Sequence, residues 1–266
     1  MIKITLAINP FAPSKNALDF GAYLARITGS ALTASILENK GLAEQQQHGN
    51  PALSVSPENM TGQTIKWFKE GATAREVSPK IHHNRGMPFT ELIEESRFAD
   101  VLVMHPAISF RQKFEGNFTQ LTKDILRRSE CPVFLTTETV EQVDEIIVAY
   151  DRSASSMFAV KLFIYLFPEL SHARLSVLHV EPDAQSGDIL KHHLKEWLSV
   201  HRHGPVNFVN LTGDTDKKLI EYLAGKKNAV LIMGGYKRSA GFRLRSKSYV
   251  EWIVKNSTLP VFITHR

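Results

Sequence analysis

Short, unbroken apolar runs alternate along this chain with longer segments whose apolar residues recur every three or four positions. The second half shows the pattern most cleanly. IIVAYD is a β run, and SASSMFAVKLFIYLF after it is a helix. LSVLHV is a strand, and GDILKHHLKEWLSVH a helix with Ile189, Leu190, Leu194, Trp197 and Leu198 on its apolar side. VNFVNL, DTDKKLIEYLA, AVLIMG, KSYVEWIVKN and PVFITH continue the alternation as strand, helix, strand, helix, strand. Aliphatic strands between amphipathic helices predict a parallel sheet covered on both faces. Right-handed βα crossovers then give an open, doubly wound sheet.

The pattern occurs twice. ECPVFLT (130–136) returns as TLPVFIT (258–264), ADVLVMHP (99–106) as NAVLIMGG (228–235), and GMPFTELIEE (86–95) as GDTDKKLIEY (213–222). The pairs Gly86/Gly213, Met104/Met233 and Pro132/Pro260 lie 127 to 129 residues apart, whereas Asn9 and Asp151 lie 142 apart. The first half therefore carries extra residues. They fall at 39–59, NKGLAEQQQHGNPALSVSPEN, a polar, Gln-rich stretch punctuated by glycine and proline that reads as a surface loop. A repeat this long marks a duplicated domain and not a solenoid. The expected organisation is two tandem doubly wound five-stranded parallel-sheet domains, at 1–138 and 144–266, with the short acidic linker TETVEQVDE (137–145) across the junction.

Composition narrows the picture without changing it. The 266 residues carry a formal charge of +5 and a sequence pI near 9.2. Over this length so small an excess implies no nucleic-acid partner, and no recognised motif or aromatic stacking platform accompanies the basic residues. The N-terminal MIKITLAINP is a β-like run broken by Pro10, not a signal peptide, and no apolar span is long enough to cross a bilayer. One cysteine, Cys131, rules out an intrachain disulfide and suits a reducing compartment. The expected location is the cytoplasm.

Ligands of doubly wound sheets bind beyond the carboxyl ends of the strands, where strand order reverses. That places a site at Asp151, at His179-Val180 and at Gly234-Gly235. VAYDRSASSMFAVKLF resembles the first strand and helix of a universal stress protein, and the glycine-led loop, helix and LPV-type strand resemble the end of one. The likeness covers both halves. It implies an adenine nucleotide alpha hydrolase-like fold and a stress-response protein that senses or holds a ligand.

Nucleotide-binding members of that family carry, after the fourth strand, Gly, two residues, Gly, nine residues, Gly, then Ser or Thr. Here the pattern begins at Gly234 (with Gly235 beside it), its second and third glycines fall on Lys237 and Lys247, and its hydroxyl on Ser248. Glycines there let backbone N–H groups approach an anion, and lysine side chains obstruct that approach while bringing charge of their own. The resemblance implies ATP or another adenine nucleotide, with Mg, in the second domain. Asp151 would stand near ribose or metal, and Ala149 and Val180 at the adenine. The competing reading is an interaction module whose nucleotide site is lost. In the first half Asn9 replaces the acid, His105-Pro106 replaces the glycines, and Thr119 stands at the third-glycine position, so that half reads as structural or as a partner surface.

No Gly-x-Ser-x-Gly elbow, Walker sequence or HExxH pattern occurs, so neither catalysis nor a metal is assigned. The pairs His82-His83 and His192-His193 are adjacent residues, which do not share one face of a strand or helix. By resemblance the two halves pair as an intrachain pseudo-dimer, leaving open further homo-oligomers and an unidentified protein partner.

Overall fold

The computed structural model describes residues 1–38, 57–111, 114–138, 140–181, 189–202, 204–235 and 249–264. The chain divides into two compact units, Met1–Thr139 and Val140–Arg266. In the first, the chain runs β1 (Ile4–Ile8), α1 (Lys15–Ile27), β2 (Leu32–Leu37), α2 (Pro57–Thr73) and β3 (Pro79–Asn84). It continues through α3 (Pro88–Arg97), β4 (Val101–Met104), α4 (Gln120–Arg128) and β5 (Val133–Leu135). In the second it runs β6 (Glu145–Ala149), α5 (Ala154–Leu166), β7 (Arg174–Glu181), α6 (Ile189–His201) and β8 (Val206–Thr212). It ends with α7 (Thr215–Leu223), β9 (Ala229–Gly234), α8 (Tyr249–Asn256) and β10 (Val261–Thr264).

The strand order within the first unit is β3-β2-β1-β4-β5, and within the second β8-β7-β6-β9-β10. Every neighbouring pair inside each unit is parallel. The registers Ile4↔Leu32 and Ile4↔Val101 in one unit correspond to Glu145↔Arg174 and Glu145↔Ala229 in the other. The sequence expectation of parallel, doubly wound sheets is met.

The central strands explain why their sequences lack alternation. Every residue of β1, β2, β4 and β5 is buried, because helices cover both faces. The same holds for most of β6, β9 and β10. By contrast, β3 (PKIHHN) and β8 (VNFVNLT) are only partly covered and carry polar residues at the exposed positions.

Each core is locked by a matching aromatic pair. Phe20 of α1 meets Phe134 of β5 edge-on with centroids 4.9 Å apart, and Phe163 of α5 meets Phe262 of β10 edge-on at 5.2 Å. Edge-to-face rings set a positive rim against a negative face, which adds about 0.5–1.5 kcal/mol to their burial.

The helices start where short polar side chains satisfy orphan N–H groups. Ser14 caps α1 by accepting from Ala17 N, and Ser153 caps α5 by accepting from Ser156 N. Thr119 caps α4 and Asp214 caps α7 in the same way. Cys131 is buried, and desolvation pushes its thiol up to about 11, as suits an inert core cysteine. His82 and His83 each face a carboxylate, Glu95 and Glu38 respectively, at 2.8 Å. Among the described residues no helix is long and apolar enough to cross a membrane.

Candidate functional site

In the second unit the sheet grows from β6 outward through β7 to β8, then resumes on the other side of β6 with β9. The connections leaving β6 and β9 diverge, opening a crevice at their carboxyl ends. Ala149, Tyr150 and Asp151 leave β6 there, Leu178 and Val180 approach from β7, and Met233 and Gly234 end β9. Thr215 and Leu219 of α7 and Tyr249 of α8 complete the lining. Four of the residues singled out from sequence, Ala149, Asp151, Val180 and Gly234, thus converge on one concavity.

Local geometry explains each position. Asp151 Oδ1 accepts from Ser153 N at 3.0 Å, so the acid closes the turn that delivers the helix cap and also lines the crevice. The intervening Arg152 takes a left-handed backbone (φ 62°), a conformation that costs a non-glycine residue roughly 1–2 kcal/mol. Its guanidinium pairs with Glu181, whose Oε1 also lies 3.0 Å from His179 Nε2. His179 Nδ1 donates to Tyr150 O at 2.7 Å, tying β7 to the turn after β6.

Gly234 is required for packing. A Cβ built there would stand 2.6 Å from both Ser155 C and Ser156 N, backbone atoms of the first turn of α5. Gly235 follows, and its carbonyl accepts from Ser155 Oγ at 3.2 Å. The leading glycines therefore seat α5 against the end of β9. Lys237, Lys247 and Ser248 lie outside the described residues.

The crevice is nearly full. Its volume is about 40 Å³, against the roughly 30 Å³ that one water occupies in the liquid and the roughly 300–1,000 Å³ of small-molecule pockets. Tyr249 is the residue sequence reading missed. Burial, then the charges of Asp216, Asp151 and Asp214, push its phenol well above the ordinary value, so it stays protonated. Its ring stacks on Trp252 (6.1 Å, 13° between planes). The sequence signal was its place as first residue of α8, directly after the hydroxyl position of the family pattern.

The first unit differs in the opposite sense. At the corresponding ends of β1 and β4 lies a cleft of about 390 Å³, where the sequence pattern placed no ligand site. The turn from β1 to the cap of α1 spans residues 9–13, against residues 150–152 between β6 and the cap of α5. Asn9 keeps the turn-closing role of Asp151: its Oδ1 accepts from Phe11 N at 2.9 Å, and its Nδ2 donates to Ser109 O at 2.6 Å. Thr119, at the third-glycine position, is fully committed to structure. Its hydroxyl accepts from Thr122 N and donates to Ile108 O at 2.6 Å.

Fold and crevice together define the class: a pair of doubly wound α/β units, each with its concavity at the reversal of strand order. The architecture is that of the universal stress proteins. A universal stress protein from Archaeoglobus fulgidus DSM 4304 superposes with a TM-score of 0.70 over 98% of this chain and 98% of its own, at 17% identity. A protein assigned to the universal stress proteins from Pseudomonas aeruginosa UCBPP-PA14 gives 0.66 over 99% and 93%, at 15% identity. A protein of unknown function from Pseudomonas aeruginosa PAO1 gives 0.66 over 99% and 92%, at 14% identity. At these identities the likeness establishes the fold. No protein-family model matches the chain, and no curated protein sequence matches it.

Proposed function

We propose that the chain acts as a tandem universal stress protein. It would be a non-catalytic protein of the cytoplasmic stress response, whose C-terminal unit takes an adenine nucleotide when Tyr249 moves aside. The carrying observation is that Ala149, Asp151, Val180 and Gly234, matched residue by residue to the nucleotide-binding pattern, line one crevice at the switch point. As it stands the crevice admits a water and not an adenosine, so the residues present fit the nucleotide only in an open form. An open form that is a minority lowers the apparent affinity by the fraction open, which is how a sensor is tuned. Asp151, Asp214 and Asp216 all bear on Tyr249, so the described part of the rim is acidic. Phosphates would need the charge of Lys237 and Lys247, or Mg carried in with them. Among the described residues no three acidic, histidine or cysteine side chains assemble as a metal site of the protein's own.

The closed volume also favours a second reading, a ligand-free interaction scaffold. Titration of the purified protein with Mg-ATP, beside mass spectrometry of released small molecules, separates the two. On the first reading the wild type binds weakly, and Tyr249→Ala tightens binding by about tenfold as the penalty of opening is lifted. Absence of binding in both proteins would overturn the nucleotide reading and leave the scaffold one.

A further inference from the structure

The cleft of the N-terminal unit is open for a reason written in its residues. The repeat alignment puts His105 where the second unit has Gly234, and at Gly234 even a Cβ would collide with the backbone of α5. A histidine at that place is compatible with the fold only if the next helix stands off. The longer turn over residues 9–13 lets α1 do so. The space this leaves, about 390 Å³, is within the range of small-molecule pockets.

Its walls have a definite chemistry. Ala7, Ala12, Pro13, Ala107 and Ile108 present small apolar groups, and Asn9, Ser14, His105 and Ser109 the polar ones. None of these side chains is a lysine, arginine or carboxylic acid. Most of the polar atoms already have work within the fold. Asn9 bridges Phe11 and Ser109, Ser14 Oγ caps α1, and Ser109 Oγ donates to Glu115.

His105 is the exception. Its Nδ1 accepts from Ala107 N at 3.1 Å, which puts the ring proton on Nε2. No described residue accepts from that N–H. Burial lowers the pKa of the ring, so at neutral pH it is an uncharged donor. The loop that carries it is fixed: Ile108 N donates to His105 O, Thr119 Oγ1 to Ile108 O and Thr122 Oγ1 to Pro106 O. The cap residue of α1, Ser14, lines the same cleft and brings the positive end of a thirteen-residue helix to its wall.

We propose that this cleft binds a small monocarboxylate with an apolar body, its carboxylate accepting from His105 Nε2–H and its body lying on the alanine, proline and isoleucine wall. A triphosphate does not suit the site. Several negative charges would be desolvated among described side chains that include no cation, and the glycine-rich loop pattern is absent from this half. One negative charge, met by a neutral N–H and a helix N-terminus, is what the walls can stabilise. The site is chemically distinct from the crevice of the second unit and stands or falls independently of the nucleotide reading.

The test uses the uniformly ¹⁵N-labelled full chain, titrated at constant ionic strength with benzoate, hexanoate, benzamide and Mg-ATP. Benzoate or hexanoate is expected to shift the His105 ring signals saturably, and benzamide to bind at least about tenfold more weakly. Ala107→Leu, which leaves His105 in place and narrows the cleft, is expected to weaken binding with the fold retained by circular dichroism. His105→Leu is expected to abolish the amide shifts of Ala107 and Ile108. Failure of both carboxylates to shift His105, equal binding of benzamide, or a stronger response of His105 to Mg-ATP would overturn the proposal.

Discussion

Gly234 and His105 hold the same place in the two copies, and the difference between a hydrogen and an imidazole sets how closely the first helix of each unit approaches its sheet. At Gly234 the contact is with backbone, which cannot rotate away. Gly234→Ala is therefore expected to cost about 1–3 kcal/mol, the range of an overpacked core, read as a lower urea midpoint with an unchanged slope. An unchanged midpoint would mean that α5 can shift outward freely.

Glu145, the buried first residue of β6, ties that strand to its neighbours. Its side chain is 11% exposed and accepts from Ser176 Oγ at 2.6 Å and Lys226 Nζ at 2.8 Å. Burial raises its pKa, but the Lys226 and Ser176 hydrogen bonds outweigh burial, and the net shift is downward from 4.5. A depressed folded pKa means stability that is present above 4.5 and lost as pH falls through the folded value. Glu145→Gln should cost about 1–3 kcal/mol at pH 7 and flatten the acid limb of the stability curve. An acid limb identical to that of the wild type would show that Glu145 has no part in it.

At the scale of elements, capping and turn length decide what each site becomes. Thr119 is almost fully buried, caps α4, and holds the loop after β4 through Ile108 O. Thr119→Val keeps the shape but removes both the cap and the donor. It should cost about 1–3 kcal/mol and, because that loop carries His105, broaden the His105 ring signals. A fully stable variant with sharp signals would show that the loop is fixed by other contacts. The convergence of Asp151 and Gly234 was readable from sequence, because both stand at the carboxyl ends of strands that flank the reversal of strand order. The place of Tyr249 in the crevice wall was not readable. It depends on α8 bringing its first residue against β6 and β7, a meeting of segments about seventy to one hundred residues apart in sequence.

For the molecule as a whole, the parallel order predicts how stability is spread. The strands β1 and β4 in one unit, and β6 and β9 in the other, are bonded on both sides and buried along nearly all their length. Hydrogen exchange should be slowest there and markedly faster in the half-exposed β3 and β8. Faster exchange in β1 or β6 than in β8 would contradict this order.

The linear pattern alone determined the strand and helix alternation, the parallel character of the sheets, the two copies and the approximate helix starts of the second half. Each of these is a local consequence of where apolar and short polar residues fall along the chain. Which crevice is open was decided only by the tertiary structure. A cavity is the volume left between side chains from distant segments, and the two copies differ there by two residues in one turn, by a histidine for a glycine and by a tyrosine brought in from α8.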